Sequence, residues 1–116
     1  MSPKSGSAPA LYLGEFELLV LLAVLRLSGD AYGVTIRDEL TRQTSRDVSM
    51  GAIYKTLGRL EDKGYVSTRI GEPTPQRGGR RKKLYELQAL GHRALKQSFT
   101  DLRRLARGFE RALEIR

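Results

Sequence analysis

From Glu15 to Leu27 the chain runs almost wholly apolar, "EFELLVLLAVLRL", a pattern that predicts a helix buried on most sides. "SGDAYG" interrupts it, with Asp30 the expected N-cap of a second helix. There Tyr32, Ile36 and Leu40 recur on one face, suited to a core, and Arg37, Asp38 and Arg42 on the other. "QTSRDV" reads as a turn into a third helix, for which Ser49 is the expected N-cap; Ala52 three residues on leaves no full capping box. Wound at about 100° per residue, that helix puts Ile53, Leu57 and Leu60 on its inner side. Its outer side carries Gly51, Lys55 and Gly58, flanked by Ala52, Arg59 and Tyr54. Glycine on a solvent-facing helix costs roughly 1 kcal/mol against alanine, so a face this bare calls for a reason.

After Gly64 the period changes from 3.6 to 2. Val66, Thr68 and Ile70 alternate with Tyr65, Ser67 and Arg69, as in a half-buried strand. "GEPTPQRGGR" is turn chemistry, and "KKLYEL" alternates again with Tyr85 and Leu87 on one side. The two runs form a hairpin with a long basic tip. A last helix is expected from Ala89 to the C-terminus, about 40 Å long. The expected fold is therefore mainly α with a small β-hairpin: a winged helix-turn-helix over residues 11–88, followed by a long helix over 89–116. The Ser/Pro/Gly-rich residues 1–10 are expected to form a disordered tail.

Charge narrows the class of partner. The net charge of +8 is not spread evenly: residues 1–76 carry nine basic and nine acidic side chains, whereas Arg77 to Lys83 holds five basic groups and no acid. Residues 89–116 add seven basic against three acidic. An excess confined to one loop and one helix points to a polyanion, the alternative being a solvated basic surface. There is no cysteine, so disulfides and thiolate metal sites are excluded. The longest apolar run, Leu18 to Leu25, is eight residues, against about 20 for a membrane span. It lacks the flanks of a signal peptide, so a soluble, intracellular protein is expected.

In a helix-turn-helix the second helix of the pair enters the DNA major groove N-terminus first. The cleared face of the third helix suits that task. Ser49, Gly51, Ala52 and Lys55 would approach the groove, with Tyr54 and Arg59 reaching flanking phosphates. Without the hairpin behind it, the same stretch would read as an amphipathic surface helix with incidental glycines. "RGGRRKK" could be a mobile linker or a localisation-type run. Between two strands it reads instead as a wing whose slim tip probes a minor groove, where arginine is the favoured probe. Arg80 and Arg81 are the expected tip contacts, and Arg77, Lys82 and Lys83 the phosphate contacts.

Three blocks resemble the PadR family of bacterial winged-helix transcriptional regulators. "AYGVTIRDEL" is similar to the family's second helix, "GAIYKTLGRLEDKGYVS" to its recognition helix and first strand, and "GGRRKKLYELQALGHRAL" to its wing, second strand and last helix. The resemblance spans about Gly14 to Glu110. One departure is Gln88, where the family usually has threonine, so the start of the last helix is expected to be looser. The single C-terminal helix resembles the compact branch of the family. The resemblance implies a cytoplasmic, nucleoid-associated regulator, double-stranded DNA as partner, dimerisation through the last helix, and a small aromatic effector between the paired helices, with Phe99 and Phe109 as the aromatic groups there.

That last helix carries a seam of its own. Leu95, Phe99, Leu102, Ala106, Phe109 and Leu113 step by 4, 3, 4, 3 and 4, an a/d pattern close to three heptads long. Part of it is expected to pack on its own domain and the rest on a second copy. Catalysis finds no support: His92 is the lone histidine among Arg93 and Lys96, and no phosphate-binding Gly-x-x-x-x-Gly-Lys loop occurs. The expected function is a sequence-specific repressor, homodimeric on a palindromic operator, with no cofactor, no metal and no membrane partner. The alternatives are a nonspecific architectural nucleic-acid-binding protein, or a protein-interaction module that uses the last helix.

Overall fold

The computed structural model describes residues 11–72 and 82–115. The chain folds in the order α1 (Glu15–Arg26), α2 (Gly33–Thr44), α3 (Met50–Asp62), β1 (Val66–Ile70), β2 (Lys83–Leu87), α4 (Ala89–Ala106) and α5 (Glu110–Leu113). α1 begins where the Gly14 N–H donates to Glu17 Oε1 at 2.9 Å. It buries Val20, Leu21, Ala23 and Val24, and α2, α3, β2 and α4 all pack against it. Leu21, Val24, Ile36, Ile53, Leu57 and Leu60 are fully enclosed. This apolar centre holds α2 and α3 in the helix-turn-helix arrangement.

The start of α2 differs from expectation. Asp30 does not cap it; Tyr32 stands at the N-cap, and Thr35 reaches back so that its Oγ1 accepts from the Tyr32 N–H at 3.0 Å. The same hydroxyl donates to the Asp30 carbonyl at 2.6 Å. Thr35 thus fills the third-position role of a capping box from inside the helix. Tyr32 is consequently only partly buried, outside the core face it was expected to share with Ile36 and Leu40. At α3 the cap is as expected: Ser49 Oγ accepts from the Ala52 N–H at 3.1 Å.

β1 and β2 pair antiparallel, with Val66 opposite Leu87, Thr68 opposite Tyr85 and Ile70 opposite Lys83. The hairpin projects from the domain, so Val66 at its base is buried and Ile70 at its far end is exposed. β2 is also tied to the chain before α2, where the Tyr85 N–H donates to the Ala31 carbonyl at 2.8 Å. Gln88 stands at the N-cap of α4 without capping it. Its Nε2 donates to Ser67 Oγ at 2.6 Å instead.

The C-terminal helix does not run to the end of the chain. α4 spans 18 residues, about 27 Å, and stops where Arg107 turns to an extended conformation and Gly108 takes φ +89°. Glycine just past a helix end accepts this left-handed geometry without strain. The Gly108 N–H then donates to Glu110 Oε1 at 2.9 Å, opening the short α5. The first turns of α4 belong to the core, with Ala94 and Leu95 buried. Beyond them, Phe99, Leu102, Leu105, Phe109 and Leu113 are exposed.

Candidate nucleic-acid interface

α3 presents Gly51, Lys55, Gly58 and Arg59 to solvent while Ile53, Thr56, Leu57 and Leu60 anchor it from below. Ser49 Oγ accepts from the Ala52 N–H, and Ala52, like Met50 at the start of the helix, is half-buried. Glycine at positions 51 and 58 leaves the helix backbone bare on that face.

The cations sort by location. Arg26 and Arg42 pair with Glu39, Arg37 with Asp38, Arg46 with Glu15, Lys63 with Glu17 and Arg69 with Glu86. Lys55 and Arg59 on α3, and Lys82 and Lys83 at the far end of the hairpin strands, make no ion pair among the described residues. Lys82 Nζ lies 4.3 Å from the centre of the Tyr32 ring, and Lys83 Nζ 5.8 Å from that of Tyr85. The cations of α1 and α2 are spent on carboxylates of the chain, as is Arg69 in the wing; among the described residues Lys55, Arg59, Lys82 and Lys83 are not, and neither are Arg93, Lys96, Arg103 and Arg104 on α4. Arg77, Arg80 and Arg81, the remaining expected wing contacts, lie outside the described residues.

Tyr54 has a more specific place than its position on the helix implied. Half exposed, it lies against the first residue of α2, so close that a Cβ on Gly33 would be 2.3 Å from its hydroxyl oxygen. Burial, and then the nearby Glu61 and Tyr54, push the Tyr85 hydroxyl above the ordinary tyrosine value, which keeps it protonated. Sequence reasoning missed Gly33 as a partner of α3. The dipeptide Tyr32–Gly33 was visible, but only the packing shows what the glycine is for.

Two buried carboxylates fix the scaffold under this surface. Glu39 ties α2 to α1: Arg26 Nε donates to its Oε2 at 2.8 Å and Gln43 Nε2 to the same oxygen at 3.0 Å, while Arg42 pairs with Oε1. The hydrogen bond from Arg26, then those from Gln43 and Arg42, hold its carboxyl down at about 2. Glu17 joins α1 to the end of α3 through Lys63, whose Nζ lies 2.9 and 3.0 Å from the two carboxylate oxygens. Burial pushes Glu17 up, but the hydrogen bonds from Lys63 and Gly14 and the charges of Lys63 and Arg59 outweigh it, leaving the carboxyl below its ordinary value.

The seam expected for dimerisation divides. Leu95 is 5% exposed and packs into the chain's own core, whereas Phe99 and Leu102, at 37% and 52%, stand at its edge. Ala106 closes α4, and the break at Gly108 takes Phe109 and Leu113 off the line of that helix. Leu11, Leu18 and Leu19 face Leu102 across a groove of about 490 Å³. Among the described residues no cluster of His, Asp and Glu could hold a metal ion, and no helix is long and apolar enough to cross a membrane.

Comparison with known proteins agrees with this geometry. The fold matches a PadR family transcription regulator from Clostridium difficile R20291 with a TM-score of 0.66 at 24% identity, over 86% of this chain and 99% of that one. It matches a PadR family transcriptional regulator from Eggerthella lenta DSM 2243 with a TM-score of 0.65 at 23% identity, over 88% of each chain. The ORC1 protein of Aeropyrum pernix, solved in complex with DNA, matches with a TM-score of 0.58 at 22% identity, over 73% of this chain and 24% of that one. None of the curated proteins matches the sequence. The family description "Transcriptional regulator PadR-like family" matches residues 21–97, from within α1 through the first half of α4. The chain therefore belongs to the PadR-like family of transcriptional regulators, and is a DNA-binding regulator of transcription rather than an enzyme.

Proposed function

We propose that the protein is a sequence-specific repressor that binds a palindromic operator as a homodimer. α3 is the reading element: Lys55 faces base edges in the major groove, with Gly51 and Ala52 admitting the backbone and Tyr54 and Arg59 on the flanking phosphates. Lys82 and Lys83 hold the strand beside it from the far end of the hairpin strands. The observation that carries this reading is the division of charge, in which Arg26, Arg37 and Arg42 on α1 and α2 pair with carboxylates of the chain while Lys55 and Arg59 on α3 and Lys82 and Lys83 of the wing pair with none among the described residues. Neutralising phosphates with such cations drives association and makes it salt-dependent.

The second copy docks along the exposed part of α4. Leu102 lines a groove with Leu18 and Leu19, and Phe99 is exposed on the same helix; a symmetric partner would cover these apolar groups. Two winged domains then meet two half-sites, and each gains from the other's binding. Competition by mixed-sequence DNA at physiological salt tests the reading. A repressor of this kind prefers its operator by about 10³-fold or more; equal displacement by both DNAs would mean an architectural protein instead.

A further inference from the structure

Gly33 has a physical oddity that the proposed function does not use. It is the first residue of α2, buried, and its backbone does not adopt the left-handed region that favours glycine. An alanine there would suit the helix at least as well. What a side chain would meet is the Tyr54 phenol: a Cβ would lie 2.3, 2.6 and 2.9 Å from its Oη, Cζ and Cε1, so the half-exposed ring would have to swing aside. All three atoms belong to one phenol end, on the helix that faces the groove. Glycines 51 and 58 on that helix have no contact closer than 4.0 Å at their own Cβ positions.

The two residues just before α2 are in contact with the wing. The Tyr85 N–H donates to the Ala31 carbonyl at 2.8 Å, and the Lys82 ammonium sits 4.3 Å from the Tyr32 ring centre. Residues 31–33 are therefore where the reading helix and the wing meet on a shared support. A phenol that could swing about its χ angles would lose entropy on docking. With its phenol end seated at Gly33, it presents its hydroxyl in one place before DNA arrives, which reduces the cost of binding.

We infer that Gly33 is a positioning residue for DNA binding: its missing side chain seats the Tyr54 phenol against the start of α2, so that the hydroxyl is held ready to donate to a backbone phosphate. This rests on the DNA-facing reading of α3 given above. Gly33 itself touches no DNA. Its effect passes wholly through Tyr54, and Tyr54 contributes to affinity for any sequence, because phosphate contacts position without specifying.

The test is a cycle of Gly33→Ala, Tyr54→Leu and the double variant, titrated against a labelled duplex of mixed sequence. Gly33→Ala and Tyr54→Leu should each weaken binding by roughly tenfold or more, as loss of a hydrogen bond to a charged group implies. The double variant should bind like Tyr54→Leu alone, since no phenol remains to be displaced. The salt dependence should keep its slope in all three, because a neutral hydroxyl releases no counterion. A flattened slope in Gly33→Ala would mean that α3 as a whole had shifted with Lys55 and Arg59, and would overturn a role confined to Tyr54.

Two readouts need no DNA, and the first needs no Gly33 variant. In the wild-type protein, nuclear Overhauser contacts should join the Gly33 Hα protons to the Tyr54 ring. In the Tyr54→Leu background, Gly33→Ala should leave the urea midpoint unchanged or raised. Absent contacts, or an equal loss of stability in both backgrounds, would remove Tyr54 as the reason for the glycine. If the wild type binds no DNA the proposed function itself fails. If it binds and Gly33→Ala binds equally well, only the positioning role fails.

Discussion

Replacing Phe99 and Leu102 together by glutamate separates the dimer surface from the fold. In the single chain these side chains are 37% and 52% exposed, whereas Leu95, one turn earlier, is 5% exposed. Carboxylates at the two partly solvated positions should cost the isolated domain little, since surface changes usually stay within about 0.5 kcal/mol. In the dimer the same carboxylates would be covered by the partner without a cation. An uncompensated buried charge costs about 3–5 kcal/mol, a rise of roughly 10²- to 10³-fold or more in the dimer dissociation constant. The monomer would then contact one half-site and lose an effective-concentration gain that reaches about 10²- to 10⁴-fold. Sedimentation equilibrium, circular dichroism and an operator titration read size, fold and affinity on one sample. The expected result is a folded monomer with weak operator binding, beside a Leu95→Glu control that fails to fold. A variant that stays dimeric, or a monomer with full affinity, would refute the seam; a well-folded Leu95→Glu protein would refute the core placement of that leucine.

Lys55→Ala should relax preference at one half-site position by about 1–3 kcal/mol if its ammonium reads a base; a loss spread evenly over all sequences would reassign it to phosphate. Ser49→Ala removes the acceptor of the Ala52 N–H and should cost about 1 kcal/mol of stability in urea denaturation, and an unchanged midpoint would contradict the cap. Glu39, whose carboxyl is held at about 2 by Arg26, Gln43 and Arg42, has a folded value below its ordinary 4.5. Its contribution is therefore complete above pH 4.5 and lost as pH falls toward 2. The urea midpoint of the wild type should fall more steeply through that window than that of Glu39→Gln, and parallel profiles would show that Glu39 is not the group responsible.

Local signals carried much of the fold. Ile53, Leu57 and Leu60 recur at helical spacing and are buried, Ser49 caps α3, and the two alternating runs pair as a hairpin. The features that escaped depend on tertiary contact or on competing local signals. Asp30 is a good N-cap by residue type, but Thr35 satisfies the Tyr32 N–H from inside the helix. The heptad spacing runs straight through Gly108, so a pattern of side chains concealed a backbone stop. Leu95 fits the seam by period, yet α4 crosses α1 in a way that buries it, and no periodicity encodes a crossing. The contact of Tyr54 with Gly33 joins two helices across a turn and appears only when the ring is laid down.

Selection of binding sequences from a random DNA pool at physiological salt addresses the central claim most directly. A dimer reading DNA through α3 should enrich an inverted repeat whose half-sites lie about one helical turn, or a small multiple of it, apart. Information should concentrate at the positions under Lys55, and the enriched duplex should outcompete the starting pool by about 10³-fold or more. A pool that binds without enriching any motif, or that is released altogether at that salt, would contradict sequence-specific recognition by this surface.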